Sequence, residues 1–129
     1  MLQGMFNGLK LREKALETAW LRNDVIAQNI ANVDTPGYKK KSVAFEELLN
    51  NAMTDAYQAH EYATGEYLNV TPTVVEDNSS LSYRLDGNNV DFESEAAAMA
   101  KNAIKYYALS QSVGGYFSKL KSVINGGSR

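Results

Sequence analysis

The stretch Asn29-Ile30-Ala31-Asn32-Val33-Asp34-Thr35-Pro36-Gly37-Tyr38-Lys39 divides the 129-residue chain into a long helical start and everything after it. Pro36 lacks an N–H and its ring pushes Thr35 out of the helical region, so a helix arriving from upstream ends before it. Pro36-Gly37 suits the two central places of a type II turn, the second of which needs a positive φ that glycine adopts without strain. Asn32 and Asp34 carry short side chains able to bond backbone groups freed where a helix stops. By themselves these residues specify a helix stop followed by a turn.

Upstream of the stop, a heptad reading runs through Leu2, Met5, Leu9, Arg12, Leu16, Ala19, Asn23, Ile26 and Ile30. That stripe is mostly apolar, Phe6, Trp20 and Ala27 widen it, and Lys10, Glu13, Lys14, Glu17 and Asp24 fall largely outside it. The pattern predicts an amphipathic helix over residues 1–33, weakened in its first turns by Gly4 and Gly8. The last third repeats the theme through Ala96, Met99, Ala103, Tyr106, Ser110, Val113, Phe117, Leu120 and Ile124. Asp91 is placed to cap this second helix, expected over 91–125. Glu93 and Glu95 complement the positive end of its dipole, and Lys119 and Lys121 the negative end. Gly126-Gly127 stops it, and Gly114-Gly115 marks a weak point inside it.

Between the helices, residues 34–90 are expected to hold the turn, a short helix and a polar middle. Thr71-Pro72-Thr73 favours extended backbone. Short strands are expected at Leu68 to Val75 and at Leu81 to Leu85, the second alternating Leu81, Tyr83 and Leu85 with Ser82 and Arg84. The expected fold is therefore mainly α and forms a single unit. Its N- and C-terminal helices pair as an antiparallel coiled coil around a small irregular middle with a short β-hairpin.

Magnitudes suggest that one partner does not cover each helix. Ordering a residue costs about 1 to 2 kcal/mol, and burying a large apolar side chain returns roughly 1.5 to 3 kcal/mol. With one large apolar residue in every three or four, a helix buried on one face is marginal. Surplus apolar width at Phe6, Trp20, Tyr107 and Tyr116 points to further copies or partners, with order at both termini completed on assembly.

Composition closes several functional classes. A hydrophobic fraction of 44% with 22% charged residues is that of a chain that packs. A net charge of -2 argues against a general nucleic-acid binder. The absence of cysteine removes disulfides, thiolate zinc sites and thiol catalysis. No apolar run reaches the roughly 20 residues needed to cross a bilayer, and the start lacks the pattern of a cleavable signal peptide. His60 is the single histidine, and neither a phosphate loop nor a Gly-x-Ser-x-Gly nucleophile motif occurs, so catalysis is not expected. A calcium loop starting at Asp86 fails because Val90 stands where an oxygen ligand is needed and Asp91 where glycine is needed.

Ala31-Asn32-Val33-Asp34-Thr35-Pro36-Gly37-Tyr38 resembles the signature that bacterial flagellar rod and hook proteins carry just after their N-terminal helix. Leu85-Asp86-Gly87-Asn88-Asn89-Val90-Asp91-Phe92-Glu93-Ser94-Glu95, followed by Asn102-Ala103 and Tyr107-Ala108-Leu109, is similar to a proximal rod member of that axial family. Together the matches span both ends of the chain, whereas residues 54–80 add little. The resemblance implies a structural rod subunit with no catalysis and no cofactor, its terminal helices paired in an inner layer that carries torque from motor to filament. It implies export through the flagellar type III apparatus to the periplasmic rod of the basal body. The implied neighbours are other proximal rod subunits, copies of itself, the adaptor protein at the rod base and the export gate.

On this reading Asn29, Asn32, Asp34, Thr35, Pro36, Gly37 and Tyr38 form an assembly motif that shapes the turn and its subunit contacts. The helix-packing interface comprises Leu2, Met5, Phe6, Leu9, Leu16, Trp20, Ile26, Ile30, Met99, Ala103, Tyr106, Val113, Phe117, Leu120 and Ile124. Tyr38 is expected to hold a partly buried ring with a bonded hydroxyl. Lys39-Lys40-Lys41 is either a solvated run or a contact with acidic residues of a neighbouring subunit, for which Asp86, Asp91, Glu93 and Glu95 are candidates. The competing reading is an interaction module whose helices bind a membrane surface or a partner helix; Glu13, Glu17 and Asp24 weigh against anionic lipid.

Overall fold

The computed structural model describes residues 2–60, 64–77 and 84–126, with side chains described from Gly4 onward. Helix α1 spans Leu2–Ala31, strand β1 Lys41–Ala44, helix α2 Glu46–Gln58, strand β2 Thr73–Glu76 and helix α3 Phe92–Gly126, with a 3-10 turn at Glu66–Asn69 before β2. The fold is mainly α. At about 1.5 Å per residue, the 30 residues of α1 and the 35 of α3 make rods roughly 45 and 50 Å long.

The two rods pair in opposite directions. Asn29 near the end of α1 meets Glu95 in the first turn of α3, at 2.9 Å. Further along, Asn102 Nδ2 donates to Ala19 O at 2.7 Å and Arg12 Nε to Ser112 Oγ at 3.0 Å. At the far end the Tyr116 hydroxyl donates to Met5 O. Arg12, inside the apolar stripe by sequence, is accommodated by these groups. Its guanidinium lies 4.9 Å from the Tyr116 ring centroid and donates to Gly8 O at 2.7 Å.

The face that α3 turns to α1 carries buried Glu95 and Asn102 and half-buried Met99, Leu109, Val113, Tyr116 and Leu120. Three of these, Met99, Val113 and Leu120, lie on the heptad read from sequence. At alternate steps the contact falls one residue earlier, on Glu95, Asn102, Leu109 and Tyr116 in place of Ala96, Ala103, Ser110 and Phe117. A rule that sends polar residues outward cannot anticipate Glu95 and Asn102 inside. They are inside because α1 offers each a hydrogen-bonding group of its own.

The buried apolar side chains among the described residues are Ala19, Val25, Ile26, Val43, Phe45, Leu68 and Val90. All but Leu68 belong to, or directly precede, the second half of α1, β1 with its exit into α2, and α3. The core is therefore concentrated at one end of the helix pair. Leu68 is brought in by the 3-10 turn, which packs on α1 and α2. Gly65, at the start of that turn, has φ 73°, and a Cβ there would sit 2.5 Å from the Asn7 side chain. A larger residue there would have to displace the Asn7 side chain and hold a left-handed backbone.

The middle holds a two-stranded antiparallel pair, but it joins Lys41–Ala44 to Thr73–Glu76 in place of the expected strands at 68–75 and 81–85, with Lys41 opposite Glu76 and Ala44 opposite Thr73. The partner of Thr73–Glu76 is the segment just after the Pro36-Gly37 turn. Of the stretch expected to form the second strand, residues 81–83 lie outside the described residues, and Arg84 and Leu85 precede the turn at Gly87. The outer edge of β1 is closed by α1 side chains. Asn29 takes both the N–H and the C=O of Lys41, at 3.0 and 2.8 Å.

Glu46 at the start of α2 joins the two long helices. It pairs with Arg22 of α1 at 2.8 Å and with Lys105 of α3 at 2.7 Å. Burial opposes its ionisation, but hydrogen bonds from Lys105 and Arg22 outweigh this and hold its carboxyl at about 2, against an ordinary 4.5. A carboxyl depressed in the folded state stabilises the fold above its unfolded pKa, and that contribution is lost as pH falls towards the folded one. Stability is therefore expected to fall between pH 4.5 and about 2. Glu46→Gln should flatten that segment in urea titrations, and an unchanged pH profile would contradict the bridging role.

Helix α3 runs unbroken through Gly114 and Gly115, and a Cβ at either would meet nothing within 4 Å. Gly114→Ala is expected to stabilise the isolated chain by about 1 kcal/mol through helix propensity alone, read as a higher thermal midpoint by circular dichroism. A lowered midpoint would show that the position is not open.

Candidate functional site

At the core end of the helix pair, a polar clasp ties the turn after α1 to the entry of α3. The turn forms as its residues dictate. The Tyr38 N–H bonds Thr35 O at 3.2 Å and Gly37 adopts φ 72°, with Pro36 and Gly37 at the two central places. Asn32 Nδ2 donates back to Gln28 O at 2.8 Å, closing the end of α1, and Thr35 Oγ1 donates to Asn32 Oδ1 at 3.2 Å. Asp34, Thr35, Pro36 and Gly37 are exposed at the tip, while Asn32 and Tyr38 are half-buried.

Beneath the tip sits Asn88, fully buried. Its Nδ2 lies within hydrogen-bonding reach of Asn32 O, Val33 O and Thr35 O at 2.9, 3.0 and 2.9 Å, and its Oδ1 accepts from Val90 N at 2.7 Å. One carboxamide thus ties together three carbonyls of the turn that follows α1. Arg84 adds a donor to Val33 O at 3.1 Å and holds Asp86 through two hydrogen bonds. Those bonds, with a further one from Asn88 N, keep the Asp86 carboxyl below the usual range. Gly37 N donates to Asp86 O at 2.8 Å, and Lys39 Nζ to Gly87 O at 2.8 Å.

Asn29 is the second centre of the clasp, also fully buried. Its Nδ2 donates to Lys41 O and to Glu95 Oε2, while its Oδ1 accepts from Lys41 N and, at 3.3 Å, from the Tyr38 hydroxyl. All four hydrogen-bonding places of the carboxamide are filled. Burial, with the charges of Glu76 and Glu95, pushes the Tyr38 phenol upward, so it stays a donor. Glu95 is buried and paired with Lys40 Nζ at 2.6 Å. Asn89 completes the set by standing in for a strand residue. Its side chain accepts from Lys40 N at 2.6 Å and donates to Asp77 O at 3.2 Å, extending the β1–β2 ladder.

The lysine run is therefore used within the chain. Lys40 pairs with Glu95, Lys39 binds a backbone carbonyl, and Lys41 lies 5.9 Å from the Tyr38 ring centroid. Asp91 caps α3 by accepting from Glu93 N and Ser94 N at 3.0 and 3.3 Å. Val90 is buried in the core.

Of the expected helix-packing residues, Ile26 is buried, and Met5, Leu9, Leu16, Ile30, Met99, Val113 and Leu120 are half-buried. Phe6, Trp20, Ala103, Tyr106, Phe117 and Ile124 remain exposed, and the side chain of Leu2 lies outside the described residues. Among the described residues the arrangement joins the turn, the entry of α3 and the seam of the two long helices. It is a device for holding two helices in register, with large apolar side chains left over.

Comparison with known proteins fits this geometry. A family model for the flagella basal body rod protein matches residues 7–39, the segment from α1 through the turn. The flagellar basal body rod protein FlgB of Bacillus subtilis (strain 168) is 37% identical to this chain, over 95% of it and 98% of that protein. The chain belongs to the FlgB family. Other FlgB proteins are similar along nearly the same length. That of Borreliella burgdorferi is 31% identical over 84% of this chain and 89% of its own, and that of Salmonella typhimurium 30% over 98% and 99%. In this FlgB-family chain the matched segment ends at Lys39, so Asn88, Asn89 and Glu95, which close the clasp from the other side, fall beyond it. Sequence reading assigned that side a turn and a cap. Consecutive Asn residues after Asp-Gly were the available signal, since a carboxamide copies a peptide's donor and acceptor, but their partners lie about 50 positions upstream.

Proposed function

We propose that this chain is a structural subunit of the proximal rod of the bacterial flagellar basal body. In this role it assembles through its terminal helices and passes torque from the motor towards the hook and filament. The observation that carries the reading is the clasped antiparallel pair that leaves Phe6, Trp20, Tyr107, Phe117 and Ile124 at 49 to 67% exposure. A clasp that locks the turn to α3 resists sliding of one helix along the other, which a torque-bearing subunit requires. The exposed apolar side chains are then the surface that neighbouring subunits cover.

The partners on this reading are copies of the chain, other proximal rod subunits and the adaptor protein at the rod base. The chain reaches the periplasmic rod through the flagellar type III export gate. Residues 1–33 and 91–125 serve as the axial helices and 34–90 as the clasp and small outer part of one unit. No described helix is long and apolar enough to cross a membrane. The test is complementation of a deletion strain with this chain, read by motility and by imaging of basal bodies. Restored rods are expected, and normal rods without the chain would overturn the assignment.

A further inference from the structure

A groove of about 350 Å³ opens between α1 and α3, flanked by Trp20, Asn23, Ala103 and Tyr106 with Ala19 and Asn102 at its floor. Two features of it are unspent by the fold, and a third is the charge that borders it. Trp20 and Tyr106 are 64% and 41% exposed. Asn102 is 3% exposed, and although its Nδ2 bonds Ala19 O, its Oδ1 has no hydrogen-bond partner. A buried acceptor left unpaired is costly and is satisfied by whatever donor enters. Finally, Glu13, Glu17, Trp20 and Asp24 follow one another at helical spacing of four, three and four residues, and all are exposed. The aromatic wall therefore stands in an acidic stripe on the outer face of α1.

The end of α3 has the opposite character. Phe117, Lys121 and Ile124 are spaced by four and three residues and share one face, and all three are exposed. Lys121 forms no hydrogen bond or ion pair among the described residues. Leu120 faces the other way, lining a small hollow with Met5, Phe6 and Leu9. A cation flanked by two apolar side chains complements an acceptor flanked by two aromatic rings and bordered by carboxylates. Along α3 the two features are separated by the 19 positions from Asn102 to Lys121, roughly 28 Å of helix, so they cannot meet within one chain.

We propose that the Phe117-Lys121-Ile124 face of one copy docks in the Trp20-Tyr106 groove of the next, with the Lys121 ammonium over the rings and donating to Asn102 Oδ1. This deepens the rod-subunit reading and rests on it. Because knob and groove are different surfaces, the contact is head-to-tail and propagates through successive copies. Rotation of the exposed Trp20 side chain admits the lysine.

Trp20 is the single tryptophan of the chain and reports the contact directly. The purified full-length protein is titrated to high concentration while sedimentation velocity and tryptophan emission are followed. The expected result is association with a blue shift of Trp20. Both should be lost in Lys121→Glu and kept in Lys119→Glu, which makes the same charge change on the other side of α3. Emission that does not change with concentration, or equal effects of the two substitutions, overturns the proposal. Normal rods in cells carrying Lys121→Glu would remove this contact while leaving the rod assignment intact, which only the deletion experiment can remove.

Discussion

Asn88→Asp is expected to destabilise the chain by about 3 kcal/mol or more, although it replaces a single NH2 by oxygen with no change of shape. The carboxamide lies 2.9 to 3.0 Å from three backbone carbonyls, those of Asn32, Val33 and Thr35. A carboxylate accepts hydrogen bonds and donates none, so all three carbonyls lose the carboxamide, keeping only Thr35 N, Arg84 and Tyr38 N respectively, and a negative charge is pressed against them in a fully buried place. Val90 N keeps its acceptor, which isolates the effect on the donor side. Urea unfolding at neutral pH measures the loss. Its pH dependence supplies an independent check. The folded site disfavours the charged form, so the aspartate pKa is raised there, and part of the lost stability returns at acid pH where the carboxylic acid donates one bond. A variant within 1 kcal/mol of the parent would mean that Asn88 does not hold the turn.

Glu95→Ala carries the second-largest effect. Glu95 sits 1% exposed in the first turn of α3, paired with Lys40 and accepting from Asn29 Nδ2. Removing it leaves a partly exposed ammonium without its partner, empties one hydrogen-bonding place of a fully buried carboxamide and opens a gap where the two helices meet. Breaking one side of a buried pair costs about 3 to 5 kcal/mol, and the partial exposure of Lys40 places the expectation at the lower end, about 3 kcal/mol. The companion Lys40→Met is expected to cost about as much, because it leaves the buried Glu95 carboxylate with Asn29 alone. A double-mutant cycle between positions 40 and 95 is expected to give a coupling of about 1 kcal/mol or more, read from urea midpoints. Additive single effects would show that the pair does not act as a unit.

Both expectations concern residues that sequence reading valued lightly. Asn88 was one of several polar residues in a turn, and Glu95 a charge placed to suit a helix dipole. In the folded chain both are buried members of the clasp. Hydrogen bonds of this kind join positions 50 to 66 residues apart, and no local pattern marks which Asn among many will be the buried one. The lysine run shows the same limit. Three consecutive cations read as solvated or as a contact with another subunit, whereas Lys40 ends in an ion pair with its own chain because the Pro36-Gly37 turn folds it back over α3.

The seam between the long helices shows how far periodicity reaches. Met99, Val113 and Leu120 lie at the expected spacing and are half-buried, and the helices pair antiparallel as expected. The alternate positions fall one residue earlier because Glu95 and Asn102 are drawn inward by Asn29 and by Ala19 O. The side chains left outside, among them Trp20, Tyr106 and Phe117, then form surfaces suited to neighbours.

The sequence alone therefore determined the helix stop and turn at Asn29–Lys39, the two amphipathic helices and the cap at Asp91. Each of these depends on covalent geometry or on spacing within a few residues, which a linear pattern records. Only the tertiary structure decided that Asn88 and Asn29 are buried, that Glu95 faces inward, and that residues 73–76 pair with 41–44. Those outcomes depend on which distant backbone groups are left without water and need a donor or acceptor.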